Sequence, residues 1–278
     1  MLSLLGVGAL LAVLAVVARP ASAQRTWDSR FHSSALGGTL HFEVVLPVDY
    51  ATSGRRYPVV YFLHGLPAGS EDYRGLGFVQ NALDGLGPKA ILVVPQGARG
   101  GDADPEYLDR GPGRRWATAI ASELPRVIDS RYRTIASRKG RALIGVSAGG
   151  YGAMHLALGH LSTFAVMQSW SGYFHPTDPT GFQGLDLGSQ ADNDRANVHA
   201  QARKLRSTLR TVPTAIAFYV GKSDTRFAAE NEELNQELSR AGISHIFRLY
   251  AGGHDQRLWG RYAPAWLALA LSHLAPAQ

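Results

Sequence analysis

The sequence predicts an α/β protein in which a mostly parallel sheet carries helices on both of its faces. Short apolar segments recur along the chain, and segments with apolar residues at helical spacing lie between them. Apolar strands of this kind are typical of parallel sheets buried on both faces, and their alternation with helices indicates β-α-β units. With 278 residues, the chain can form one domain with a sizeable core, which we place at 24–278.

The strands are predicted in chain order from these apolar segments. The first, at 39–47, alternates loosely between apolar and polar residues, as expected for a half-buried edge strand. The later segments are more strongly apolar, as expected for buried strands, and lie at 57–63, 90–95, 141–146, 214–220 and 244–250.

Helices and loops are predicted between these strands. The helical segments lie at 117–129, 151–160 and 227–241. Gly242 follows the last helix as a C-cap. Two irregular stretches, 96–113 and 176–197, are rich in Gly, Pro and Asp. In a sheet of this type, long loops often form the walls of a site.

The amino terminus resembles a secretory leader. Residues 1–18 carry no charged side chain, and Ala21-Ser22-Ala23 then supplies the small residues that signal peptidase requires. We therefore expect 1–23 to be a signal peptide that is cleaved before Gln24 to release a secreted domain. No basic segment precedes the apolar run, so an uncleaved membrane anchor is the alternative, although eighteen residues are marginal for crossing a bilayer.

Composition argues against several classes of function. The formal charge is +6, but the Arg residues are scattered rather than concentrated on one segment, which argues against a nucleic-acid groove. The chain has no Cys, which removes disulfides, thiolate metal sites and a Cys nucleophile. It has no His-Glu-x-x-His, phosphate-binding or dinucleotide-binding motif. One acidic cluster lacks the spacing of a calcium loop and is expected to be solvated: Asp102, Asp104, Glu106 and Asp109. We expect neither a metal nor an organic cofactor.

The strongest chemical signal is the segment Gly145-Val-Ser-Ala-Gly-Gly150. It follows an apolar strand and precedes a helical segment, which is the context that a G-x-S-x-G nucleophile elbow requires. Only small residues fit around so sharp a turn. Ser147 would lie exposed at a helix N-terminus, where backbone N–H groups favour developing negative charge. The alternative is a glycine-rich turn with an idle serine.

A nucleophilic serine needs a base, and the base needs an orienting acid. In folds built on such an elbow, the acid and then the histidine follow the serine along the chain. The acid candidates are Asp178, Asp186, Asp192, Asp194, Asp224, Glu230 and Asp255. Asp224 is preferred because it lies just beyond a strong apolar strand, where catalytic groups gather. The Asp residues in 176–197 are better explained as turn formers.

His254 is the preferred base. It lies in Tyr250-Ala-Gly-Gly-His254, a flexible loop directly after the last predicted strand. Such a loop can bring one imidazole nitrogen to Ser147 and the other to Asp224. Four of the other histidines after the serine lie in predicted helices or strands: His155, His160, His245 and His273.

Two backbone N–H groups are expected to form an oxyanion hole. One comes from the residue after the nucleophile, Ala148, and the other from the loop after the first central strand, at Leu66. His64 precedes that loop, and we interpret it as a structural residue that hydrogen-bonds the loop.

The sequence resembles the putative-esterase family of α/β-hydrolases, which includes esterase D, feruloyl esterases and secreted mycolyltransferases. The matching segments are Leu63-His-Gly-Leu-Pro-Ala-Gly69, Ile120-Ala-Ser-Glu-Leu-Pro125, Gly145-Val-Ser-Ala-Gly-Gly-Tyr-Gly-Ala153 and Gly252-Gly-His-Asp255, in the order of the family. The resemblance implies an α/β-hydrolase fold, with Ser147, Asp224 and His254 as the triad. Many relatives carry an aromatic residue where this chain has Gln256, and Met where it has Ala148, which leaves the acyl preference open.

These observations predict a secreted serine carboxylesterase that hydrolyses short-acyl or acyl-sugar esters. An acyltransferase of the mycolyltransferase type, with a sugar hydroxyl as acceptor, is the first alternative. A catalytically silent binding protein is the second, and the presence of Ser147, Asp224 and His254 in order argues against it. The expected partner is a small ester, with no nucleic acid and no membrane span after cleavage.

Overall fold

A computed structural model describes residues 26–66, 69–102, 106–178 and 183–278. Within these residues, one eight-stranded sheet runs through the molecule in the order β1-β2-β4-β3-β5-β6-β7-β8. Its strands are Thr26–Ser33 (β1), Gly38–Val45 (β2), Val59–Leu63 (β3), Ile91–Pro95 (β4), Arg141–Val146 (β5), Val166–Trp170 (β6), Ala215–Gly221 (β7) and Ile246–Tyr250 (β8). The predicted leader, 1–23, lies outside the described residues.

The sheet is parallel from β4 to β8, whereas β1 and β2 pair antiparallel at one side. Every residue of β3, β4 and β6 is buried, as expected for strands covered on both faces. The predicted α/β fold class is confirmed.

Two details of the strand prediction are wrong. The segment predicted as an edge strand forms β2, which lies between β1 and β4, so β1 is the edge strand on that side of the sheet. The sequence does not predict β1, because only two of its residues, Trp27 and Phe31, are large and apolar. β6 was also missed, because two of its five residues, Gln168 and Ser169, are polar. Gln168 can be buried since its amide donates to the Trp266 carbonyl and its oxygen accepts from the Trp170 indole.

The helices cover both faces of the sheet. Their bounds are Tyr50–Ser53 (α1), Gly77–Asp84 (α2), Trp116–Thr118 (α3), Leu124–Arg131 (α4), Ala148–Gly159 (α5), Gln190–Ala196 (α6), Val198–Lys204 (α7), Arg206–Thr211 (α8), Ala228–Ala241 (α9) and Gln256–Ser272 (α10). A π-helical turn, Ala119–Glu123, joins α3 to α4, so the helix predicted at 117–129 is one continuous helical segment. The helix predicted at 227–241 is α9, and Gly242 ends it in a left-handed conformation, as expected.

Alternate side chains of the central strands enter two separate cores. Tyr61 of β3 belongs to the core that packs against α4, α5 and α9. Phe62, its neighbour, enters the core formed with α2 and α10, where its ring lies 5.0 Å from that of Trp170. Each such ring removes roughly 150–250 Å² from water, so these aromatic residues hold the helices firmly on the sheet. In the described part of the chain, we find no helix long and apolar enough to span a membrane.

Candidate active site

The turn between β5 and α5 is made by one strained residue. Ser147 has φ 56° and ψ −123°, a conformation that non-glycine residues rarely adopt. Its N–H donates to the Trp170 carbonyl at 2.9 Å, and its own carbonyl accepts from the N–H groups of Gly150 and Tyr151. These bonds hold the hydroxyl at the carboxyl end of the sheet, at the start of α5.

Glycines allow α5 to pack directly on the strands. A methyl group on Gly145 would lie 2.1 Å from the Gly149 carbonyl oxygen. A methyl group on Gly149 would lie 2.1 Å from the carbonyl oxygen of Leu63 in β3. The elbow motif therefore requires glycine because backbone meets backbone at these points.

The loops that follow β7 and β8 are joined by backbone hydrogen bonds. The N–H of Lys222 donates to the Tyr250 carbonyl at 2.8 Å, and the N–H of Ser223 donates to the Gly252 carbonyl at 2.9 Å. Gly221 permits this contact, since a methyl group there would lie 2.4 Å from the Gly252 oxygen. These contacts bring Asp224, which follows β7, next to His254, which follows β8.

Ser147, His254 and Asp224 form one hydrogen-bonded chain of side chains. Nε2 of His254 lies 3.0 Å from Oγ of Ser147, and Nδ1 lies 2.7 Å from Oδ2 of Asp224. The Asp224 side chain is 1% exposed and that of His254 is 14% exposed. A buried carboxylate bonded to Nδ1 favours the tautomer in which Nε2 can accept the serine proton.

Two aromatic residues hold the His254 ring. Phe227 and Trp259 both meet it edge to face, with ring centroids 5.2 Å and 5.1 Å away. The Trp259 indole N–H donates to Oγ of Ser171 at 2.9 Å, which restrains the indole in turn. This packing limits imidazole rotation and excludes water from one side of the ring. Neither aromatic residue was predicted from the sequence to lie beside the base.

The two predicted oxyanion residues flank Ser147. Ala148 is the first residue of α5, where N–H groups lack intrahelical partners. Leu66 follows Gly65, whose backbone approaches Ser147 so closely that a methyl group on it would lie 2.9 Å from the serine Cβ. Both N–H groups therefore belong to backbone that borders the serine.

The other acid candidates have different partners. Asp255 caps α10 and accepts from the N–H groups of Arg257 and Leu258. Glu230 accepts from the N–H of Phe174 and bonds His175. The acids in 176–197 bond within their own segment: Asp178 with Gln183, Asp186 with Gly188 and Asn193, Asp192 with Ser189 and Arg195, and Asp194 with Gln190.

The four other histidines that were considered as bases are placed elsewhere or have other partners. His155 stacks on Tyr151 in α5, and His160 bonds the Leu156 carbonyl. His245 bonds the Ile243 carbonyl and the Asn235 side chain, and His273 ends α10.

The expectation of a solvated acidic loop is wrong for two of its described members. Glu106 is only 1% exposed, and Asp102 pairs with Arg99 at 3.2 Å with 10% of its side chain exposed. Asp109 does fit a surface position and bonds Thr118. Asp104 lies outside the described residues. Sequence reasoning missed Glu106 because burial of a carboxylate depends on partners far away in the chain.

The model of one protein family, described as "Putative esterase", matches residues 33–265. The chain belongs to the putative-esterase family. This membership supports chemistry on ester bonds, either hydrolysis or acyl transfer, and confirms the resemblance found in the sequence.

Individual relatives agree with the family. Esterase Rv1288 of Mycobacterium tuberculosis is 31% identical over 266 residues, which cover 87% of this chain and 58% of that protein. The match thus spans little more than half the length of the relative. The diacylglycerol acyltransferase/mycolyltransferase Ag85A of Mycobacterium leprae is 28% identical over 152 residues, covering 51% of this chain and 45% of that one.

A solved structure gives the same fold. A ferulic acid esterase superposes with a TM-score of 0.74 at 23% identity, covering 90% of this chain and 97% of its own. At this identity, the likeness shows the fold, and with it the predicted α/β-hydrolase architecture.

Proposed function

We propose that this protein is a serine carboxylesterase that acts through Ser147, His254 and Asp224. The observation that carries the proposal is the continuous chain of hydrogen bonds at 3.0 Å and 2.7 Å that links the three side chains. The residues come from three separate loops at the carboxyl ends of β5, β7 and β8. Membership of an esterase family supports the same chemistry.

Acylation begins when Ser147 Oγ attacks the ester carbonyl while Nε2 of His254 takes its proton. Asp224 stabilises the imidazolium ion that forms. The N–H groups of Leu66 and Ala148 donate to the oxyanion, the type of contact that typically contributes 2.7–4 kcal/mol or so per donor. His254 then gives its proton to the departing alkoxide, which leaves an acyl group on Ser147.

Water completes the cycle in the proposed hydrolase. His254 removes a proton from a water molecule that attacks the acyl-serine, and Ser147 departs with that proton. No other group is needed, and the proposal includes neither a metal nor an organic cofactor.

We propose small or sugar-bearing esters as substrates, with acyl chains of about two to four carbons. The composition of two irregular segments, 96–113 and 176–197, supports a polar substrate, since both are rich in Gly, Asp, Arg and Asn and would give the site a polar rim. The test is a panel of p-nitrophenyl esters of rising chain length. Acetate and butyrate esters should turn over fastest, and faster turnover of long-chain esters would contradict this preference.

An acyltransferase would share the acylation step but pass the acyl group to a sugar hydroxyl. The similarity to Ag85A keeps this alternative open. Product analysis with trehalose or glucose at high concentration separates the two activities. We expect free acid to dominate, and a larger yield of acyl-sugar would identify a transferase.

We also propose that the protein is secreted after cleavage between Ala23 and Gln24. The small residues Ala21 and Ala23 support this site. N-terminal sequencing of the culture supernatant should find Gln24 first. A full-length product in the membrane fraction would instead indicate an anchor.

A further inference from the structure

Two consecutive buried residues adopt a strained backbone beside the active site. Glu106 and Tyr107 have φ values of 49° and 54°, and both are almost fully buried. A non-glycine residue in this conformation is strained, so it persists only where several contacts enforce it. Neither residue has a role in the proposed triad.

Glu106 ties this segment to the chain that follows β6. Its Oε1 accepts the hydroxyl of Tyr173 at 2.6 Å and that of Thr177 at 3.2 Å. Tyr173 in turn packs on Phe227, which touches the ring of His254. The strained pair is therefore anchored to the side of the site that carries the base.

Tyr107 contacts the other side of the site. Its ring lies against α5 at Gly152, where a methyl group would lie 2.6 Å from Cδ2 of the ring. Its hydroxyl donates to the carbonyl of His64 at 2.7 Å in a buried hydrogen bond. Tyr107 thus joins the helix that begins after Ser147 to the loop that carries Leu66.

The backbone of that loop is held at two successive peptide groups. The Tyr107 hydroxyl holds the His64–Gly65 peptide by its carbonyl. The carbonyl of the next peptide, Gly65–Leu66, accepts from Nδ1 of His64 at 2.9 Å. A trans peptide is planar, so fixing the Gly65 carbonyl also fixes the Leu66 N–H, which points the opposite way.

His64 is suited to this bond because it is neutral. Burial lowers the pKa of His64, which keeps the uncharged ring that donates from Nδ1. The ring of Tyr107 lies edge to face with that of His64, at 6.1 Å between centroids. A shift of the tyrosine would therefore disturb both peptide groups.

We propose that Tyr107 is a positioning residue for the oxyanion hole. Its hydroxyl holds the main chain of His64, and the ring of His64 holds the Gly65 carbonyl and so aims the Leu66 N–H. The inference rests on the proposed function, since a task at the oxyanion hole presupposes ester chemistry at Ser147. Removing one oxyanion donor costs about 10²–10³ in kcat. A donor that is present but misdirected should cost about tenfold.

Tyr107→Phe tests the proposal by removing one oxygen atom. We expect kcat for p-nitrophenyl butyrate to fall about tenfold while KM stays within about twofold. Affinity for a short-chain trifluoromethyl ketone should fall by the same factor, because its adduct with Ser147 places an oxyanion in the hole. Affinity for the alcohol of the same chain length, which forms no adduct with Ser147 and carries no oxyanion, should stay unchanged.

Tyr219→Phe is the matched control. Its hydroxyl is buried and has no hydrogen-bond partner within the described residues. Its ring stacks on that of Trp266 in the opposite core. This variant should keep the kcat and the ketone affinity of the wild type.

Gly97→Ala provides a second test that leaves Tyr107 unaltered. The added methyl group would lie 2.7 Å from Nε2 of His64 and 2.9 Å from the Tyr107 hydroxyl, so both must move. We expect the same joint loss of kcat and ketone affinity.

The inference is wrong if Tyr107→Phe keeps kcat within twofold, or if it lowers the affinities for the ketone and for the uncharged alcohol alike. Ser147→Ala separates this failure from that of the proposed function. An inactive Ser147→Ala beside a fully active Tyr107→Phe overturns the inference alone, whereas turnover by Ser147→Ala overturns both.

Discussion

Two histidines of this protein bond a carboxylate through Nδ1 at the same distance, yet only one of them can serve as a base. Nδ1 of His254 lies 2.7 Å from Asp224, and Nδ1 of His199 lies 2.7 Å from Glu237. The difference lies at Nε2. In His254 it faces the Ser147 hydroxyl at 3.0 Å, whereas in His199 it faces a second carboxylate, Glu230, at 3.6 Å.

The second carboxylate changes the protonation of the ring. Burial opposes the charge on His199, but the two neighbouring carboxylates, Glu230 and Glu237, prevail and raise its pKa. Burial likewise opposes the charge on Glu230, but the hydrogen bond from His175 and the nearby ring of His199 lower its pKa to about 2. His199 is thus favoured as a cation between two acids. A His–carboxylate pair becomes a candidate base only when the other nitrogen faces a nucleophile.

The largest expected effect comes from removing the nucleophile. Ser147→Ala should lower kcat by about 10⁴–10⁶ while the protein stays folded, because the three side chains act as a unit. Kinetics with p-nitrophenyl butyrate and a thermal melt measure both properties. A fluorophosphonate probe should label the wild type only. More than a tenth of wild-type activity in the variant would exclude Ser147.

Exchanging the carboxylates of the two pairs for amides should separate their roles. Asp224→Asn should lower kcat by up to about 10⁴, because an amide favours the wrong tautomer of His254. Glu237→Gln makes the same chemical change at His199 and should leave kcat within about twofold. If Glu237→Gln lowers kcat more than Asp224→Asn does, His254 is not distinguished from His199 as the base.

The smallest effect concerns stability and pH. The raised pKa values of His175 and His199 contribute stability below about pH 6.5, which is lost as the pH rises through their folded values. The lowered pKa of Glu230 contributes stability above about pH 4.5, which is lost as the pH falls toward 2. The contacts of Glu230 with His175 and His199 should therefore contribute most to the free energy of unfolding near pH 5.5.

Glu230→Gln tests this expectation. It should lower the free energy of unfolding by about 1–3 kcal/mol near pH 5.5, and by less at pH 8, as measured by urea denaturation. Glu233→Gln, at an exposed position of the same helix, is the control and should have little effect at either pH. An equal loss for Glu230→Gln at both pH values would contradict the role of the histidines.

The sequence predicts best those elements whose defining residues are close neighbours along the chain. The apolar strand followed by Gly145 and Gly149 predicts a tight turn, because the need for small residues in such a turn is visible within a few positions of the sequence. Asp224 and His254 were identified by their places after strands, and the structure joins them to Ser147 by hydrogen bonds. Their catalytic roles stay a prediction.

Features that depend on distant partners were not predictable. β1 carries few large apolar residues, and it is recognisable as a strand only once β2 is there to pair with it. Glu106 looked like a solvated acid because its partners, Tyr173 and Thr177, lie 67 and 71 positions further along the chain. The tyrosine contact with His64 likewise spans 43 positions.

The start and the end of α5 differ in how well their glycines would tolerate a larger residue. At Gly145 and Gly149 the obstacle to a methyl group is main chain, which no rotamer change can move aside, so these two positions reject even alanine. Gly159, in the last turn of the same helix, has nothing within 4 Å of the place that a methyl group would take. Alanine there adds helix propensity of up to about 1 kcal/mol without a clash. Substitution of glycine is therefore excluded at the start of α5 but sterically permitted at its end.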